Sequence, residues 1–126
     1  MATEKTILLA EDEEMLHLVA KKIIESMNYK VISAFNGEEA VSAYKENPVI
    51  DLVILDICLP GKDGIETLSE IMELNKKLPV IINSAYGTYK DNFMTWSADA
   101  YVVKSSDLSE LKTTIRALLD KKNVEA

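Results

Sequence analysis

Five positions in the chain could do chemistry together: Glu11, Asp12, Asp56, Ser84 and Lys104. Each stands where an apolar run ends. ILLA leads into Glu11-Asp12, LVIL into Asp56, VIIN into Ser84 and AYVV into Lys104. Three carboxylates brought to one place repel unless a cation intervenes. A hard divalent ion such as Mg²⁺ suits them, because it takes one or two carboxylates with carbonyls and waters. The chain has one histidine, so a site built of imidazoles is excluded and oxygens must hold the cation. With the ion present, Asp56 can be an ionised nucleophile towards a phosphoryl group. The metal and Lys104 would offset charge on the transferring oxygens, and Ser84 could donate a hydrogen bond to one of them. The turn after Asp56, with Pro60, Gly61 and Gly64, allows close backbone approach.

Taken singly, each residue has a plainer role. Glu11 and Asp12 could cap a first helix, and Asp56 could be a cap or turn residue. Ser84 could be an ordinary polar strand end, and Lys104 a solvated lysine. Their joint placement at four strand ends carries the inference.

The elements that must position them are short apolar runs alternating with helical stretches. Strands are expected at about Thr6–Ala10, Lys30–Ala34, Leu52–Leu55, Val80–Asn83 and Ala100–Val103. Several are continuously apolar, which suits strands covered on both faces. Between them, Leu16, Val19, Ala20, Ile23 and Met27 recur at helical spacing. Asn36 with Glu39, Asp63 with Glu66, and Asp107 with Glu110 mark three further helix starts. Ile65, Leu68 and Met72 would form one inward face, and Leu108, Leu111, Ile115 and Leu118 another. The stretch Thr88–Trp96 is the weakest helix, with Tyr89, Phe93 and Trp96 on one side but few good helix formers. Such alternation implies a doubly wound α/β fold, a parallel sheet with helices on both faces. Ligands of such sheets bind beyond the carboxyl ends of the strands, where the five residues fall.

Composition narrows the rest. At 126 residues, residues 1–126 are expected to form a single domain with roughly two-thirds of its unfolded surface buried. A net charge of −7 argues against nucleic acid as a direct partner. No apolar stretch reaches membrane-spanning length, so no membrane partner is expected. Cys58 is the one cysteine, which suits a reducing, cytoplasmic setting. Nearby carboxylates disfavour its thiolate and hence a redox role. His17 reads as a solvated helix residue without a part in the chemistry. Tyr86 either overhangs the pocket or stands as a partly exposed loop aromatic.

This arrangement resembles the receiver domain of bacterial two-component response regulators, over about Lys5 to Lys121. The resemblance implies a flavodoxin-like (βα)5 fold with five parallel strands in the order 2-1-3-4-5. It implies that Asp56 accepts a phosphoryl group from a histidine kinase or a histidine phosphotransfer protein. It implies Mg²⁺ bound by Glu11, Asp12, Asp56 and the backbone carbonyl of Cys58. Ser84 would match the family's switch hydroxyl, Tyr101 its switch aromatic and Lys104 its lysine. Such a module catalyses only its own phosphorylation and dephosphorylation, and signals by binding a downstream protein as a monomer or weak dimer. Three features depart from the pattern. The acidic pair is Glu-Asp where Asp-Asp is commoner. Ser105 follows Lys104 where proline, often cis, is usual; a trans bond is expected here, since cis costs about 2.5–4 kcal/mol without proline. Trp96 and Ser97 replace small residues before the fifth strand. Two rival classes fit less well. An aspartyl phosphohydrolase would want an aspartate where Cys58 stands. A flavin or nucleotide binder would want a phosphate loop where the acidic AEDEEM stands.

Overall fold

The computed structural model describes residues 5–47, 49–56, 64–84, 99–103 and 108–125. Five strands, β1 (Thr6–Ala10), β2 (Lys30–Ala34), β3 (Leu52–Leu55), β4 (Val80–Ser84) and β5 (Ala100–Val103), form one parallel sheet. Their order is β2-β1-β3-β4-β5. The described helices are α1 (Glu14–Ser26), α2 (Gly37–Glu46), α3 (Gly64–Leu74) and α4 (Ser109–Glu125). The expected helix at Thr88–Trp96 lies outside the described residues.

Alternate residues of each strand feed two cores. Leu8, Val53, Leu55 and Ile82 pack with Ala40, Tyr44, Leu68 and Ile71 of α2 and α3. Leu9, Ile54, Ile81 and Val102 pack with Ala20 and Ile24 of α1 and Leu111 and Ile115 of α4. The central strand β3 is buried at every position, which is why it carries no polar residue. Each fully buried Ile or Leu contributes about 1.5–3 kcal/mol, so the sheet is a rigid platform for the residues beyond its strand ends.

The helices turn slightly different faces inward than periodicity suggests. In α1 the buried residues are His17, Ala20 and Ile24, while Leu16 and Val19 remain largely exposed. In α3 Gly64, Thr67, Leu68 and Ile71 are buried, with Ile65 and Met72 half-buried at the margin. Along α4 Leu111, Ile115 and Leu119 are buried, with Leu118 partly so. These three helices have more apolar residues than the sheet covers, so the inward stripe is narrower than the apolar one.

Local signals fix the ends. Asn36 Oδ1 accepts from the Glu39 amide at 2.8 Å, and Glu39 Oε1 accepts from the Phe35 amide at 2.9 Å, closing a capping box that reaches one residue further back than usual. At the other end of α1, Asn28 adopts φ 70° and ends the helix in a Schellman turn, with Tyr29 N donating to Ile24 O and Asn28 N to Glu25 O. Asp51 and Asp99, just ahead of β3 and β5, accept the first amides of the neighbouring strands, Thr6 N and Val80 N, at 2.9 Å each.

Candidate metal and phosphoacceptor site

Register decides which residues meet. Ala10 pairs with Leu55, so β1 and β3 end level, and Leu55 pairs with Ile82, so β4 runs two residues further, to Ser84. The next residues, Glu11 and Asp56, emerge side by side at the carboxyl edge, with Asn83 following Ile82 on β4. Asp56 N donates to Ala10 O at 3.1 Å, and Glu11 N donates to Ala34 O at 3.1 Å. Both main chains are thereby tied to the sheet just where their side chains leave it.

Glu11, Asp12 and Asp56 each place one carboxylate oxygen so that all lie within 4.8 Å of one another. Glu11 and Asp56 are only 4% and 6% exposed, while Asp12 is exposed. Helix capping does not account for the acidic pair. The N-cap of α1 is Glu13, whose carboxylate accepts from Met15 N and Leu16 N, while Glu11 Oε2 accepts from Glu13 N at 3.0 Å. A cluster of oxygens at an open edge fits Mg²⁺. Octahedral ligands at about 2.1 Å lie about 3.0 Å apart when adjacent and about 4.2 Å when opposite. The observed spread is slightly wider, within reach of small side-chain rotations.

The other expected residues are placed unevenly. Ser84 ends β4 and pairs with Val103, so its main chain sits at the same edge. Tyr101, in β5, is half-buried and packs against the α2–α3 core. Lys104 and Cys58 lie outside the described residues, as do Pro60, Gly61, Tyr86, Ser105, Trp96 and Ser97.

Two neighbours of the site escaped sequence reasoning. Asn83 lines, with Glu11 and Asp56, a cleft of about 160 Å³ between α1 and α4, walled by Leu16, Val19 and Leu111. His17 is not solvated but 3% exposed. Its Nδ1 lies 2.9 Å from Glu11 O and its Nε2 2.8 Å from Ser33 Oγ. The ring stacks on Phe35 with centroids 4.2 Å apart. Its spacing to Ala20 and Ile24 was the available signal: a polar residue on an otherwise inward stripe.

Comparisons agree with this architecture. Residues 7–116 match the response regulator receiver domain family. The response regulator GtcR of Aneurinibacillus migulanus is 35% identical over 117 residues, covering 91% of this chain and 48% of the relative. CpxR of Escherichia coli K12 is 35% identical over 115 residues, covering 90% and 48%. The chain thus spans about half the length of the curated relatives it matches. Among solved structures, TrrA of Thermotoga maritima in complex with Mg²⁺-BeF superposes with a TM-score of 0.87 at 38% identity, covering 90% of this chain and 98% of that one. TrrA in complex with the histidine kinase ThkA gives 0.85, also at 38% identity, covering 91% and 98%. Fold, acidic edge and family match converge: this chain belongs to the response regulator receiver domains, the phosphoacceptor modules of two-component signalling.

Proposed function

We propose that Asp56 is the phosphoacceptor of the chain, receiving a phosphoryl group from a histidine of a kinase or phosphotransfer protein. The carrying observation is the convergence of Glu11, Asp12 and Asp56 within 4.8 Å at the carboxyl edge of the sheet. A bond forms from an Asp56 oxygen to phosphorus as the phosphorus–nitrogen bond breaks, and the imidazole leaves with the electron pair. Glu11, Asp12, Asp56 and the Cys58 carbonyl hold Mg²⁺, which when bound neutralises charge on the transferring oxygens. Lys104 adds a second positive charge and Ser84 a hydrogen-bond donor. Asp56 is nearly buried, so a donor histidine must approach over the rim of the site. Met15, Leu16, Leu18 and Val19 leave an exposed apolar surface on α1 beside that rim, which supports docking of the histidine-bearing partner there.

The chain catalyses only its own phosphorylation and dephosphorylation. Its output is a protein-binding surface, switched as Ser84 draws towards the phosphate and Tyr101 turns further inward. A downstream protein, rather than nucleic acid, reads that surface, and the setting is cytoplasmic. Among the described residues no helix is long and apolar enough to cross a membrane. Intact mass after incubation with Mg²⁺ and acetyl phosphate tests the assignment. The wild type is expected to gain one phosphoryl group and Asp56→Asn none, with circular dichroism unchanged. A full shift in the variant refutes Asp56 as the acceptor.

A further inference from the structure

We propose that His17 is a positioning residue for the acidic site, holding the Glu11 main chain so that the Glu11–Asp12 carboxylates meet Asp56; this rests on the phosphoacceptor reading above. Three residues, Glu11 to Glu13, connect the end of β1 to the first turn of α1. Both acidic ligands lie in that short connection, so its path sets where their oxygens fall. The Glu11 amide is tied outward to Ala34 O on β2 at 3.1 Å. Its carbonyl is tied to His17 Nδ1 at 2.9 Å.

A carbonyl oxygen can only accept, so Nδ1 carries the proton in that contact. In the neutral ring Nε2 then accepts from the Ser33 hydroxyl, 2.8 Å away. Ser33 is itself fixed, because it pairs with Leu9 in the β1–β2 ladder. Phe35 covers one face of the ring at 4.2 Å, with 19° between the planes. The imidazole is thus a strut bonded at one nitrogen to the β1–α1 connection and at the other to β2. It acts on the ligand residue through its backbone, as groups behind metal ligands generally orient them.

A merely structural buried histidine would affect folding without regard to which nitrogen is replaced. The two ring nitrogens can be separated chemically. An asparagine amide nitrogen can take the place of Nδ1, whereas a glutamine amide nitrogen reaches the place of Nε2. Mg²⁺ affinity measured by calorimetry is expected to fall about tenfold in His17→Gln and to stay close to wild type in His17→Asn. In metal-free protein, amide exchange at residues 11–13 should quicken in the glutamine variant and not in the asparagine one. Labelling by acetyl phosphate should slow in His17→Gln at limiting Mg²⁺ and recover at saturating Mg²⁺, since the defect lies in presenting the ligands.

Equal effects of the two substitutions on affinity and exchange, or no effect of either, overturn the proposal. Where substitution at His17 prevents folding, Ser33→Ala removes only the ring's outer anchor and leaves the Nδ1–Glu11 contact, as His17→Asn does; Mg²⁺ binding close to wild type is then required, and a loss of about tenfold overturns the assignment of the role to the Glu11 carbonyl contact. A wild type that binds no Mg²⁺ and takes up no phosphate overturns the phosphoacceptor reading, and this proposal with it. A wild type that does both while the His17 variants match it overturns His17 alone.

Discussion

Asp12→Asn removes one formal charge from the acidic cluster and keeps the shape of the side chain. Its carboxylate lies within 4.8 Å of those of Glu11 and Asp56. At that separation two unit charges repel by about 0.9 kcal/mol in a water-like dielectric and about 3.5 kcal/mol at an effective value of 20. Asp12 is exposed while its two neighbours are buried, so the effective dielectric lies nearer the first case. Salt at about 0.1 M, with a screening length of about 10 Å, reduces the repulsion further. Two such pairs then amount to about 1–2 kcal/mol relieved by the substitution. In a chain of 126 residues that is a rise in melting temperature of about 3–8 °C in EDTA. Added Mg²⁺ should narrow or reverse the difference. A ligand at ten times its dissociation constant stabilises by about 1.4 kcal/mol, and the variant, having lost a ligand oxygen's charge, binds more weakly and gains less. Thermal melts of both proteins with and without Mg²⁺ read the two effects together. A variant that melts below wild type in EDTA refutes the repulsion argument. Equal gains from Mg²⁺ refute Asp12 as a ligand.

Two other outcomes are expected from the same geometry. Asn36→Ala loses the cap on Glu39 N and should lower stability by about 1 kcal/mol in urea titration, with phosphoryl uptake unchanged because the Asn36 side chain bonds within α2 and not to the acidic cluster. On phosphorylation, amide exchange should change most across residues 84–106, around Ser84 and Tyr101; a response confined to α1 and α2 would place the output surface on the opposite side.

The strands were legible because a doubly covered parallel sheet needs continuous apolar runs, and little else in this chain has them. LVIL can hardly be anything but a central strand, and it is buried throughout. Helix faces were less legible for a physical reason. Periodicity marks every apolar residue on a helix, but a sheet covers only a narrow stripe. In α1 Met15, Leu16, Leu18 and Val19 belong to the surface, so counting apolar positions rotates the inferred inward face away from the true one. The same excess put Ile65, Met72 and Leu118 at the centre of faces where they are marginal.

The acidic site was legible through a rule of architecture rather than through any local pattern. Parallel strands that end level bring the residues after them together, so the residues following ILLA and LVIL had to meet once the order β1-β3 was fixed. The competing reading, that Glu11 and Asp12 cap a helix, is removed by a single neighbour: Glu13 supplies the carboxylate to Met15 N and Leu16 N. His17 could not be read the same way. Its hydrogen bonds join residues 6 and 16 positions away in the sequence, to Glu11 and Ser33. Only the pairing of Ser33 with Leu9 brings that hydroxyl beside the first turns of α1. A histidine whose partners belong to the β1–α1 connection and to β2 looks, in sequence, like any polar residue on a helix. The register that gathers the carboxylates also delivers Ser33, so the ligand cluster and the strut behind it are consequences of one sheet geometry. Shifting β2 by a single residue would turn Ser33 to the other face and leave the His17 ring without its outer anchor, even though no carboxylate had moved.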